Sequence, residues 1–111
     1  MSTNFSPIDA LLALTADADG KPFARLFAHG SLEVEVYRPV DRDPQVPHAR
    51  DEVYVVIAGR GTFYCDGERT PFGPGSLLFV PAGSEHRFED FTDDFSTWVL
   101  FYGPQGGEHD A

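Results

Sequence analysis

At 111 residues the chain has the length of one domain, and its 41% hydrophobic and 14% aromatic content is that of a globular protein. Acids outnumber bases 18 to 8, and the net charge of −10 repels phosphate backbones and anionic bilayers, so neither nucleic acid nor a membrane is an expected partner. The one cysteine, Cys65, allows no intrachain disulfide, no run approaches the roughly 20 apolar residues of a membrane span, and Met1 to Phe5 lack the basic start of a secretory signal; cytoplasmic localisation is the expectation.

Ser6-Pro7-Ile8-Asp9 reads as a helix start, with Ser6 as the cap, Pro7 at the first helical position and Asp9 as the acid of a capping box. Ile8, Leu11 and Leu12 form its apolar stripe, and the helix should fade near Ala16-Asp17. From Phe23 the pattern changes to strands. Ser31 to Tyr37 alternates, with Leu32, Val34 and Val36 on one face and Glu33 and Glu35 on the other, the period of a half-buried strand. Pro39 to Pro47 is a polar, Pro-rich connection, and Glu52 to Ala58 is rich in Val, Tyr and Ile. Gly59-Arg60-Gly61 turns the chain into a return strand over Thr62 to Cys65, and Asp66-Gly67 signals another hairpin. Strands follow at Ser76 to Val80, His86 to Phe91 and Thr97 to Tyr102, separated by Gly- and Pro-rich turns. About eight short strands so punctuated predict an all-β sandwich or closed barrel. The expected organisation is an N-terminal segment with one short helix (1–22), a barrel (23–103) and a loose tail (104–111).

Two histidines stand in informative settings. His48 is followed four residues later by Glu52, then Gly59; His86 follows Gly75, Pro81 and Gly83. These segments resemble the two signature motifs of the cupin superfamily: Gly, five residues, His-x-His, three or four residues, Glu, six residues, Gly; and Gly, five residues, Pro-x-Gly, two residues, His, three residues, Asn. Gly75, Pro81, Gly83 and His86 all fall on the second motif's offsets. The first is partial, because Val46 stands where its first His belongs and Val40 at its opening Gly; Asp90 replaces the second motif's Asn. The resemblance implies a double-stranded β-helix, or jelly-roll, barrel holding a divalent metal ion (Zn, Fe, Mn or Ni) on His48, Glu52 and His86, a two-histidine, one-carboxylate set with open positions.

Residue parity agrees with this assignment. On an extended segment Glu52, Tyr54 and Val56 share one face, and His86, Phe88 and Asp90 share a face of another strand. A carboxylate among aromatics is costly to bury ionised and calls for a cation or strong donors. The plain alternative is that His48 and His86 are ordinary polar residues at strand ends. Tyr54 and Arg50 are the candidate catalytic residues, Tyr54 as proton donor and Arg50 as partner to a substrate carboxylate or enolate; a filled barrel and pairing with Asp51 are the competing readings. Asp90 could orient His86. Cys65 reads as a buried thiol, and Trp98 and Phe101 as core or dimer surface.

Two functions are open to such a chain. One is metal-dependent chemistry on a small organic molecule inside the barrel, as a cyclase, isomerase or dioxygenase; small stand-alone cupins similar to this one include proteins of aromatic polyketide synthesis, of the tetracenomycin type. The other is a non-catalytic module that binds a small ligand with weak metal affinity or none. The small size and exposed strand edges predict a homodimer.

Overall fold

A computed structural model of the chain describes residues 3–16 and 20–109. Helix α1 spans Pro7–Thr15 and carries the expected reciprocal cap: the Asp9 amide donates to Ser6 Oγ at 3.1 Å and the Ser6 amide to Asp9 Oδ2 at 2.9 Å. The proposed apolar stripe is corrected. Ile8 and Leu12 are exposed, while Ala10 is fully buried and Leu11, Ala13 and Leu14 are half-buried. The helix lies on β1 and β2, and the small Ala10 side chain lets it approach the sheet closely. Asp17, where the helix was expected to fade, lies outside the described residues.

Eight strands follow: β1 Phe23–His29, β2 Leu32–Tyr37, β3 Asp51–Ala58, β4 Gly61–Cys65, β5 Glu68–Phe72, β6 Leu77–Val80, β7 His86–Glu89 and β8 Ser96–Tyr102. Every strand pairing is antiparallel, in a five-stranded sheet of order β1-β2-β8-β3-β6 and a three-stranded sheet of order β5-β4-β7. The fold is all-β with one short helix, the jelly-roll barrel expected. Between the sheets Tyr54, Phe63, Phe72, Phe88 and Phe95 pack with ring centroids from 4.6 to 6.0 Å apart, several edge to face.

On β2 the alternation is as read from the sequence, with Val34 and Val36 buried and Glu33 and Glu35 half-buried on the other face. Glu35 pairs with Val99 and Val99 with Tyr54, so the three share the barrel's inner face, and Tyr37 belongs to the core. Val34 and Val36 are buried on the outer face, on the strand that α1 contacts. A helix covers the outer face here and the core lies against the inner one, so β2 is covered on both sides. Burial, and then Glu33, raise the Glu35 carboxyl above its ordinary value against the pull of Arg25; Glu52 adds to the rise.

Two backbone-amide bonds join the described part of the tail to the start of β3 and the residues before it. The Gly106 amide donates to the Ala49 carbonyl at 2.7 Å and the Glu108 amide to Asp51 Oδ2 at 2.8 Å. A glycine-rich stretch reads as loose, but its bare amides here find fixed acceptors.

Candidate metal centre

Strand β3 sends Glu52, Tyr54 and Val56 into the barrel and leaves Val53, Val55 and Ile57 half-buried outside, the parity read from the sequence. His86 opens β7 on the opposing sheet and is 2% exposed, while Glu52 is 0% exposed. His48 belongs to the irregular connection before β3. The turn between β6 and β7 fixes its place: the Gly83 amide donates to the His48 carbonyl at 2.8 Å, and the Ala82 amide donates to Asp51 Oδ1 at 2.9 Å. Gly83 has φ +83°, which suits glycine and explains its place in that turn. Asp51, receiving the Glu108 and Ala82 amides, has its carboxyl held below the usual range.

These elements converge on one point. Glu52 Oε1 lies 2.9 Å from His86 Nε2 and 3.7 Å from His48 Nε2, and one ligand atom from each of the three residues lies within 4.8 Å of the others. Ligands about 2.0–2.2 Å from one ion stand roughly 3.0–3.6 Å apart when adjacent, so the spacing suits a shared cation. His86 Nδ1 is 2.9 Å from the Ser84 carbonyl and donates to it, which turns the Nε2 lone pair toward Glu52. Burial works against a charged His86 ring, but Glu52 and the Ser84 carbonyl outweigh it and raise its pKa above the ordinary value. Despite the 2.9 Å approach, His86 Nε2 and both Glu52 oxygens are buried without a well-formed hydrogen bond. An ionised carboxylate so placed is several kcal/mol unfavourable, of the order expected for an unpaired buried ion. A divalent cation at the convergence would satisfy all three atoms, so the residues fit one. The His48 side chain is 32% exposed, so the centre opens on that side.

The remaining candidates separate. Tyr54 is fully buried beside the cluster; its pKa is pushed well above the phenol value, first by burial and then by Glu52. It is therefore a proton-bearing donor and not a base. Arg50 is not brought to the cluster. Its Nε donates to the Gly103 carbonyl at 3.0 Å, an Nη donates to the Ser31 carbonyl, and the other Nη pairs with Glu33 at 3.5 Å. These bonds tie the start of β3 to β2 and to the end of β8, in place of the expected pairing with Asp51. Asp90 does not orient His86, since Ser84 does; it is exposed at φ +50°, a left-handed turn position that Asn and Asp tolerate. Cys65 is half-buried, and burial raises its thiol pKa, with Asp66, Glu68 and Glu52 adding to the rise. Phe101 packs its edge toward the His48 ring at 5.2 Å, and Trp98 is half-buried on the outer face.

Val46 is 69% exposed, so no ligand comes from the position of the missing histidine. Sequence reasoning missed Gln45, whose Oε1 lies 3.2 Å from His48 Nε2 and accepts the Tyr54 hydroxyl at 3.0 Å. The only sequence signal was a carbonyl-bearing side chain beside the gap, in a loop without periodicity.

A barrel with two facing-sheet ligands and a third from the preceding loop is the frame of a cupin. The family model described as a cupin domain matches residues 33–102, and the chain belongs to that family. It is 41% identical over 100 residues to an uncharacterized protein of Streptomyces coelicolor, covering 88% of this chain and 94% of that one. Among solved structures, the DMSP lyase DddQ of Ruegeria pomeroyi is 28% identical with a TM-score of 0.61; the match covers 73% of this chain and 46% of that chain. This chain thus spans about half the lyase's length. KdgF from a Halomonas species has a TM-score of 0.64 at 17% identity, covering 75% of this chain and 78% of its own, a likeness of fold. No helix among the described residues is long and apolar enough to cross a membrane.

Proposed function

We propose that this cupin binds one divalent metal ion on His48, Glu52 and His86 and acts on a small organic molecule that enters from the His48 side. The observation that carries the reading is the buried Glu52 carboxylate, which lacks hydrogen bonds and sits between two imidazoles. A bound ion of the Fe, Mn, Zn or Ni kind would supply Lewis acidity toward a carbonyl or enolate oxygen. The chain's own part is to orient and to supply protons. Tyr54, kept protonated beside Glu52, is the candidate acid. Glu33 and Glu35 give the neighbouring inner wall a polar lining, with Arg25 2.8 Å from Glu33.

Enolic and polycarbonyl compounds, the substrate type of polyketide chemistry, are the finer proposal, and the DMSP lyase likeness adds DMSP to the compounds to be tested. A second reading, a binding module without turnover, is favoured by one observation: the Arg50 guanidinium, the candidate partner of a substrate anion, already bonds the Gly103 and Ser31 carbonyls and Glu33. Metal analysis of the purified protein followed by a turnover screen separates the two. One ion per chain with turnover of an enolic substrate or of DMSP supports an enzyme. Metal without turnover across the screen supports the binding module.

A further inference from the structure

We propose that Gln45 supplies a fourth protein ligand to the metal centre through its side-chain carbonyl oxygen, in place of the histidine absent at Val46. The inference rests on the metal-binding reading above and concerns a residue that reading does not use.

The orientation of the Gln45 amide is fixed by its surroundings. Asp43, buried in the loop, accepts from Gln45 Nε2 at 2.7 Å, the Gln45 amide at 3.2 Å, the Phe88 amide at 2.9 Å and the Tyr37 hydroxyl at 2.5 Å. An ionised carboxylate only accepts, so the NH₂ end of Gln45 must face Asp43 and the carbonyl end must face the cluster. There Oε1 accepts the Tyr54 hydroxyl at 3.0 Å with one lone pair. The other lone pair is available toward His48 Nε2, 3.2 Å away, within the roughly 3.0–3.6 Å expected of two ligands sharing one ion. In the metal-free protein the same 3.2 Å contact is a hydrogen bond from His48 Nε2–H. With an ion on His48 Nε2, the lone pairs of that nitrogen and of Gln45 Oε1 converge where the hydrogen bond lies. Asp43 also ties this loop to β7 through Phe88, two residues from His86, so Gln45 is held by the strand that carries another ligand.

A neutral amide oxygen is a harder ligand than an imidazole. The centre should therefore favour Mn or Fe over Zn more than a three-histidine set would. Co(II) titration followed by visible absorption provides the test. Gln45→Leu, which keeps volume and removes the carbonyl, should weaken Co(II) binding by at least about 10-fold and change the d–d spectrum. Gln45→His should restore affinity and shift its preference toward Zn. Unchanged affinity and spectrum in Gln45→Leu would overturn the assignment. If that variant fails to fold, the zinc-loaded wild-type crystal structure decides: Oε1 at about 2.0–2.3 Å from the ion supports it, and Oε1 beyond about 3 Å overturns it. A wild type that binds no metal removes the functional reading and this inference together; metal bound with Gln45 unligated removes this inference alone.

Discussion

Glu52 and Asp51 are adjacent carboxylates with opposite circumstances. Asp51 receives two backbone amides; Glu52 receives none and faces two imidazoles. Replacing Glu52 by Gln takes away the carboxylate that favours the charged His86 ring 2.9 Å away, so the thermal midpoint of the metal-free protein should fall at acid pH, where His86 is protonated, and hold where it is neutral. The same change should weaken metal binding by about 100-fold or more, since loss of even an outer-shell partner costs 10–100-fold. Differential scanning calorimetry with and without metal, at acid and at neutral pH, checks both halves. For Asp51 the folded pKa is lowered, so its contribution is fully present above the unfolded value of about 3.9 and is lost as pH falls through the folded pKa. Urea unfolding between pH 7 and pH 3 should show a shallower acid loss in Asp51→Asn than in wild type; equal slopes would count against this role. Which carboxylate was which could be read in part from sequence. Glu52's inward place followed from strand parity, whereas Asp51's partners, Ala82 and Glu108, are remote in the chain and invisible to local pattern.

At the scale of elements, turns did the most to make the site legible. Gly75 closes the turn before β6, and Pro81 and Gly83 form the turn after it, which delivers His86 to the start of β7 and holds the His48 carbonyl through the Gly83 amide. The β3–β4 connection is as constrained. Gly59 has φ +91°, and a Cβ there would lie 2.5 Å from the Phe95 Cα. Left-handed strain and overpacking together should make Gly59→Ala destabilising by about 2–5 kcal/mol, measured by chemical denaturation. A cost under about 1 kcal/mol would mean that the turn gives way easily. Which face of β2 lines the barrel was not legible, because alternation gives a period and not the side on which the barrel closes. Gln45 was missed, and the partners of Arg50 were not foreseen, for a related reason: both residues sit in or beside an irregular connection where parity counting has no meaning.

At the scale of the whole molecule, the large sheet's outer face carries an apolar patch away from α1. Cross-strand pairing aligns Val53 with Phe79 and Leu100, and Val55 with Leu77 and Trp98, on one side of β6, β3 and β8. Leu77 is 69% and Phe79 50% exposed. We propose that a second copy of the chain covers this face, as the expected homodimer requires. Sedimentation at micromolar concentration should show a dimer for wild type and a monomer for Leu77→Glu/Phe79→Glu with its fold retained. A monomeric wild type would remove the dimer.

The whole arrangement, from the rim turns to the aromatic floor, brings two imidazoles and an unpartnered carboxylate to one point. Isothermal titration of chelator-stripped protein with Co(II) or Zn(II) tests that centre most directly. One ion per chain is expected, with binding strongly weakened in both His86→Ala and Glu52→Gln. A wild type that takes up no ion, or variants that bind as tightly as wild type, would contradict it.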